Sequence, residues 1–181
     1  IATIVIHHRM IAGNVDKGSM VYLLTTPHSR KRIVSNQLLF GLLSIVALFL
    51  VSTIFAIMLS TIIFPGELEI GKFIYLNVQV IVLYAAISSI CFFGSVIANE
   101  AKHSLGIGVG VPVGFLVIQM LANASDQLHF MRYFTMYTLF QTEEILEGSI
   151  TSIINLCILL AIAVIMYAIS IRIFDRKNLY I

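Results

Sequence analysis

Four long apolar segments without a single acidic or basic side chain constrain the fold of this chain more than any other feature. They cover residues 38–63, 73–98, 105–122 and 150–171. A hydrocarbon core about 30 Å thick takes about 20 apolar helical residues to cross. Three segments exceed that length, and residues 105–122 are just long enough. The sequence therefore predicts an all-α membrane protein, a polytopic bundle with these four spans.

The composition excludes the common soluble classes. Hydrophobic residues make up 59% of the 181 residues, charged residues 11%, and the mean hydropathy is +1.00. Soluble domains carry about 25% charged residues. Since no basic patch is interleaved with aromatic side chains, we expect no nucleic-acid partner.

The distribution of Lys and Arg predicts the topology. If the four spans alternate in direction, nine of the eleven basic residues fall on one side, and only Lys72 and Arg132 fall on the other. Short cytoplasmic loops of membrane proteins are rich in Lys and Arg. We therefore expect residues 7–37, 99–104 and 172–181 in the cytoplasm, with 64–72 and 123–149 outside.

The outer segment 123–149 combines acidic residues with an aromatic series. Phe130, Tyr133, Phe134, Tyr137 and Phe140 follow helical spacing. The pattern favours short extracellular helices before the last span that dip into the membrane interface, where Phe130, Phe134 and Tyr137 would form an extracellular gate. A packed extracellular cap is an equally good interpretation.

Gly106, Gly110 and Gly114 recur every four residues and share one helix face. Small residues at that spacing let helix backbones approach closely. The pattern predicts helix packing, either within the chain or at a seam with a second chain.

The sequence gives little support for a catalytic site or a metal site. In intramembrane CAAX-type proteases, a pair of glutamates is followed three residues later by an Arg. Here Glu143-Glu144 is followed by Glu147-Gly148 instead. No span contains a His. The five His residues show no metal-ligand spacing. The spans also lack the charged groups that ion-driven carriers use. Gln119 and Asn155 are interpreted as interhelical hydrogen-bonding residues, and any driving energy would enter from another subunit.

The cytoplasmic segment 10–37 has an amphipathic stretch, a proline break and a basic helix start. Thr26-Pro27 is a helix-start signal, with Thr as the cap and Pro in the first turn. Arg30, Lys31 and Arg32 then lie at the membrane surface, where anionic lipids attract them.

This segment resembles the loop between the second and third spans of ABC-2-type ATP-binding-cassette transporter permeases. That loop commonly reads Asp-x-Gly-Ser/Thr-Met-x-Tyr-Leu-Leu-Ser-Thr-Pro-x-x-Arg. The matching residues here are Asp16, Gly18, Ser19, Met20, Tyr22, Leu23, Leu24, Thr26, Pro27 and Arg30. Thr25 stands where Ser is common. The order of spans and the basic ending at 174–179 are also similar to the family.

The resemblance implies a transmembrane subunit that pairs with a second permease and docks an ABC ATPase through a coupling loop, residues 10–37. ATP and Mg would be bound by the partner, with no cofactor in this chain. Residues 1–181 would form a single transmembrane domain lacking its first span and the start of its second, since residues 1–6 look like the last turns of a helix.

Export across a bacterial plasma membrane is the function that this resemblance implies. The low-charge, aromatic-rich spans favour an amphipathic cargo such as a peptide, an antibiotic or a lipid. A membrane scaffold or assembly protein without transport is the alternative. An intramembrane enzyme is disfavoured.

Overall fold

A computed structural model describes residues 30–97, 101–124, 130–131 and 133–176, with the backbone alone at residues 30, 31, 33, 101–105 and 176. Four long helices dominate this part of the chain: α1 (Arg30–Ile63), α2 (Ile70–Ile97), α3 (Ala101–Ala124) and α5 (Ile150–Arg176). Between α3 and α5 lie a 3-10 helix (Met136–Leu139) and the short α4 (Thr142–Glu147). These residues contain no strand, and each long helix is apolar and long enough to cross a membrane. The all-α polytopic fold is confirmed.

The first helix is longer than the apolar segment that the sequence shows. It has 34 residues and begins at Arg30, so residues 30–37 of the predicted loop are helical. At 1.5 Å per residue the helix is about 51 Å long. Because this length exceeds the hydrocarbon thickness, either the basic start of the helix extends beyond the bilayer or the helix tilts.

The core lies between α2 and α5, which run side by side in the same direction. Tyr75 contacts Ser152 near their starts, and the hydroxyl of Tyr167 donates to Ser88 Oγ at 2.7 Å further along. The Tyr167 ring also packs edge-on against Phe92, with ring centroids 5.7 Å apart. This order of contacts fixes α2 and α5 as parallel neighbours.

The start of α1 meets the ends of α2 and α5 at one end of the bundle. Val34, Val96 and Phe174 all belong to the buried core cluster. Arg32 and Arg172 therefore lie at the same end, whereas Glu69 and Lys72, whose side chains pair at 2.7 Å, lie at the other. The helix directions agree with alternating spans, and the cytoplasmic placement of the basic end stays a prediction.

Helices α2 and α3 form a close antiparallel pair. A Cβ added to Gly94 would lie 2.8 Å from Ile107 Cγ2 and 3.3 Å from the Gly108 backbone nitrogen. Pro112 lies inside α3 and has no N–H to donate to the Gly108 carbonyl four residues earlier. The Cys91 thiol donates to that carbonyl at 3.1 Å instead. The contact between α2 and α3 thus supplies a donor that the proline removes.

The turn before α5 is set by Gly148. Its φ of 68° is left-handed, which costs glycine little. The backbone N–H of Ser149 donates to the Glu144 carbonyl at 3.1 Å and closes the end of α4. Helix α5 then begins at Ile150, two residues beyond the glycine, so the chain re-enters the bundle at once.

Candidate functional site

The segment between α3 and α5 is attached to α3 by a polar contact. Gln119 Oε1 accepts hydrogen bonds from the hydroxyl groups of Thr135 and Thr138. Thr135 is buried, and its hydroxyl lies 3.2 Å from that of Thr138. One glutamine side chain thereby fixes the start and middle of the 3-10 helix region to the third span. The interpretation of Gln119 as a hydrogen-bonding residue of the bundle agrees with this contact.

Beyond this contact, the 3-10 helix packs into the bundle rather than lying on it. Met136, Tyr137, Leu139 and Phe140 pack against the buried core cluster. Burial raises the pKa of the Tyr137 phenol above its ordinary value, and the nearby Tyr84 phenol raises it further. Tyr137 therefore stays protonated and neutral near pH 7. Short helices before the last span are present as predicted, and their extracellular location stays a prediction.

A cavity of about 490 Å³ opens between the end of α3, the 3-10 helix and the start of α4. We call it the outer cavity, after the end of the bundle that the sequence predicts to lie outside. Its polar lining comes from Gln119, Asn123, Gln141, Thr142 and Glu143, and its aromatic lining from Tyr137 and Phe140. Pockets of about 300–1,000 Å³ hold small organic ligands in proteins. The outer cavity is large enough for such a molecule.

A second cavity, of about 330 Å³, lies on another side of the same 3-10 helix. Its walls are mainly apolar and include Phe115, Phe134, Met136 and Ile162. Phe134 and Tyr137 therefore line different cavities, although the sequence places them on one helical face. The reason is that Phe134 precedes the 3-10 helix, and the extended backbone of Thr135 (φ −117°, ψ 146°) interrupts the helical path between the two residues.

Buried polar groups of α2 and α5 bond to each other. Gln79 is 1% exposed, and its amide nitrogen donates to Tyr75 Oη and to the Ser152 carbonyl, both at 3.2 Å. Because these side chains have partners within the bundle, they serve interhelical hydrogen bonding. Among the described residues, no group of His, Cys, Asp and Glu could hold a metal ion.

The predicted coupling residues lie mostly outside the described residues. This applies to Asp16, Gly18, Met20, Tyr22, Leu23, Leu24 and Pro27. The structure gives the backbone of Arg30 and Lys31, which forms the first turn of α1, and shows the Arg32 side chain exposed. The roles of these residues in coupling and at the membrane surface stay predictions.

The predicted gate residues do not form one surface. Phe130 and Phe134 are exposed, the latter to 70%, whereas Tyr137 is half-buried against the core. The structure thus separates Phe130 and Phe134 from Tyr137, and their gating role stays a prediction.

The glycine stripe does not pack within the described part of the chain. A Cβ at Gly106, Gly110 or Gly114 would meet nothing within 4 Å. Helix α3 turns Gly108 and Pro112 toward its neighbours instead, and both are buried. Within the described residues these three glycines therefore contact no neighbouring helix, and their role in helix packing, within the chain or at a seam with a second chain, stays a prediction.

The sequence did not reveal the outer cavity. Gln119 and Asn123 come from the end of a span, while Gln141 and Glu143 lie about 20 residues later, around the start of α4. No periodic spacing links these positions, because an irregular connection brings them together. The surplus of amide and acidic side chains between residues 119 and 147 was the available signal.

Comparison with known proteins identifies the family. A family model described as "ABC-2 family transporter protein" matches residues 1–179. Searches of curated proteins and of solved structures find no significant match. Members of this family are the transmembrane components of ABC transporters and are typically not catalytic. With four apolar helices and a match over nearly its full length, the chain belongs to the ABC-2 transporter family as a multi-pass membrane permease.

Proposed function

We propose that this chain is the permease subunit of an ATP-driven exporter in a bacterial plasma membrane. The observation that carries the proposal is the family match across residues 1–179. The chain forms the membrane pathway together with a second permease, and a separate ABC ATPase docks on the cytoplasmic side. The cargo is an amphipathic molecule such as a peptide, an antibiotic or a lipid.

The polar chemistry of the spans supports a separate energy source. Gln79, Tyr75 and Ser152 bond to each other, as do Tyr167 and Ser88. A side chain that is already bonded to a neighbouring helix is not available to bind an ion that crosses the membrane. We expect ATP hydrolysis, with its Mg ion, to take place in the partner subunit.

The length of α1 supports mechanical coupling. The helix begins at Arg30, three residues after Pro27, and continues without a break to Ile63. A continuous helix transmits a displacement at its base along the whole span. Tyr22, Leu23 and Leu24 form an apolar anchor for a groove in the ATPase, because buried aromatic and aliphatic side chains dominate protein interfaces. Arg30, Lys31 and Arg32 hold the helix base at the lipid surface.

The exposed surface of α1 supports contacts with lipid or a second permease. Large apolar side chains along this helix, including Phe40, Val51 and Ile62, are more than half exposed. Such a surface is stable only where hydrocarbon or another apolar helix covers it.

Substitution of Tyr22 and Leu23 by Ala tests the docking of the ATPase. The variant keeps every basic residue, so its topology is unchanged. We expect the ATPase to be lost from the copurified complex, or to remain bound with hydrolysis that no longer responds to cargo. The measurement is the ATPase-to-permease ratio, followed by cargo-stimulated ATP hydrolysis.

Val21→Ala is the matched control, because Val21 occupies a variable position of the loop pattern. It should retain both ATPase binding and stimulation. Full binding and full transport in the double variant would disprove the coupling role. The absence of any ATPase partner for the unmodified chain would favour a scaffold instead.

A further inference from the structure

The hydrogen-bond acceptors of the outer cavity are not all used. Gln141 donates through its amide nitrogen to the Thr138 carbonyl at 3.3 Å, and no donor among the described residues reaches its side-chain oxygen. The Glu143 carboxylate lines the cavity and has no hydrogen bond or ion pair with the described residues. Two acceptor groups therefore remain available to a bound molecule.

The described residues that line the outer cavity carry charge of one sign, which is negative. Glu143 is the only acidic or basic residue among the described residues that line it. A carboxylate attracts cations and repels anions, and the attraction increases where protein replaces water around the pair. An anionic ligand would meet this charge without a basic partner among the described lining residues. The cavity therefore selects for a positive group.

The aromatic part of the lining suits the apolar part of a ligand. Tyr137 and Phe140 line the cavity, and both pack against the core, which limits their movement. A cation within about 6 Å of the centre of an aromatic ring is attracted by the ring face. Neighbouring hydrocarbon is removed from water on the same surface. One wall thus binds the body of a ligand while the carboxylate neutralises its head.

We propose that the outer cavity binds organic cations that carry an apolar or aromatic body. Glu143 pairs with the cationic head, Gln141 accepts a hydrogen bond from it, and Tyr137 and Phe140 contact the body. That such a molecule is the cargo rests on the proposed export function. Binding itself rests on the cavity alone.

The test compares two probes of the same shape and opposite charge, tetraphenylphosphonium and tetraphenylborate. The full chain is reconstituted in nanodiscs of zwitterionic phosphatidylcholine, and binding is measured by equilibrium dialysis with subtraction of empty nanodiscs. We expect saturable binding of the phosphonium at about one molecule per chain. The borate should show only the partition seen with empty nanodiscs.

Glu143→Gln and Glu147→Gln form a matched pair. Both residues are exposed on α4, and only Glu143 lines the cavity. We expect Glu143→Gln to weaken phosphonium binding about tenfold and Glu147→Gln to leave it within twofold. Circular dichroism should show equal helix content in both variants. Phe140→Leu should weaken binding several-fold, in line with the loss of one cation–ring contact.

Equal weakening by the two glutamate variants would overturn the proposal, because it would indicate general surface charge. Saturable borate binding of equal strength, or no saturable phosphonium binding, would also overturn it. The binding proposal and the proposed export function can fail independently of each other. The dialysis contains no ATPase, so a permease that does not dock an ATPase would give the same phosphonium binding.

Discussion

At the scale of single residues, Gly94 sets how closely α2 and α3 approach. A methyl group there would overlap Ile107 Cγ2 at 2.8 Å and press on the Gly108 backbone at 3.3 Å. Backbone cannot rotate away as a side chain can, so the helices must separate. The same contact holds the Cys91 thiol against the Gly108 carbonyl. The lack of a side chain at Gly94 therefore allows both the close packing and the hydrogen bond of this helix pair.

Substitution of Gly94 by Ala should destabilise the bundle by about 1–3 kcal/mol, the usual cost of overpacking. Gly71→Ala is the control. It adds the same methyl group on α2 itself, where nothing lies within 4 Å, and it should be neutral or slightly stabilising. Unfolding in dodecyl sulfate, followed by circular dichroism, measures both. Equal stability of the two variants would contradict the close approach seen here.

At the scale of elements, the 3-10 helix owes its position to side chains rather than to its own backbone. A four-residue 3-10 helix has too few internal hydrogen bonds to be stable alone. Gln119 supplies the polar contact with Thr135 and Thr138, and the core supplies the apolar one. The walls of the outer cavity depend on this attachment, because Tyr137 and Phe140 lie on the attached segment.

Gln119→Leu should loosen this segment without disrupting the spans. Loss of two hydrogen bonds, each worth about 1 kcal/mol, predicts a rise of roughly tenfold or more in local opening. Hydrogen exchange of peptides covering residues 133–141 measures the change. Met120→Leu, at the exposed neighbouring position, should leave exchange unaltered. Unchanged exchange in Gln119→Leu would assign the attachment to the apolar contacts alone.

At the scale of the whole molecule, charged residues lie toward the two ends of the bundle, whereas apolar side chains cover its sides. Arg32 and Arg172 lie at one end of the bundle, while Glu67, Glu69, Glu143 and Glu147 lie toward the other. The apolar surface runs around the sides, above all along α1, of which little is buried. This arrangement suits a bundle that crosses a bilayer with its basic end inside.

Cysteine labelling tests that orientation. Ser29→Cys should resist a membrane-impermeant thiol reagent in intact cells and react after the cells are opened. Glu67→Cys, in the exposed turn between α1 and α2, should react in intact cells. The unmodified chain gives the background, since Cys91 and Cys157 lie within α2 and α5. The reverse labelling pattern would invert the topology and remove the basis for cytoplasmic coupling.

The sequence by itself determined the number, order and approximate ends of the spans. Apolar length decides these, because an unpaired backbone or a charge in hydrocarbon is costly wherever the helix packs. The predicted first span, 38–63, differs from Arg30–Ile63 only at its start. There, long polar side chains can continue a helix into the interface. The boundary between charged and apolar residues in the sequence therefore does not mark the start of the helix.

Tertiary structure alone decided which helix faces meet. Gly106, Gly110 and Gly114 have the same four-residue spacing as Gly108 and Pro112, so periodicity could not choose between the two faces of α3. The choice was made by the fit of Ile107 against Gly94 and by the Cys91 thiol at the Gly108 carbonyl. The outer cavity likewise required Gln119 and Glu143 to meet across an irregular segment. Such contacts depend on the shape of the partner surface, which no local pattern of residues encodes.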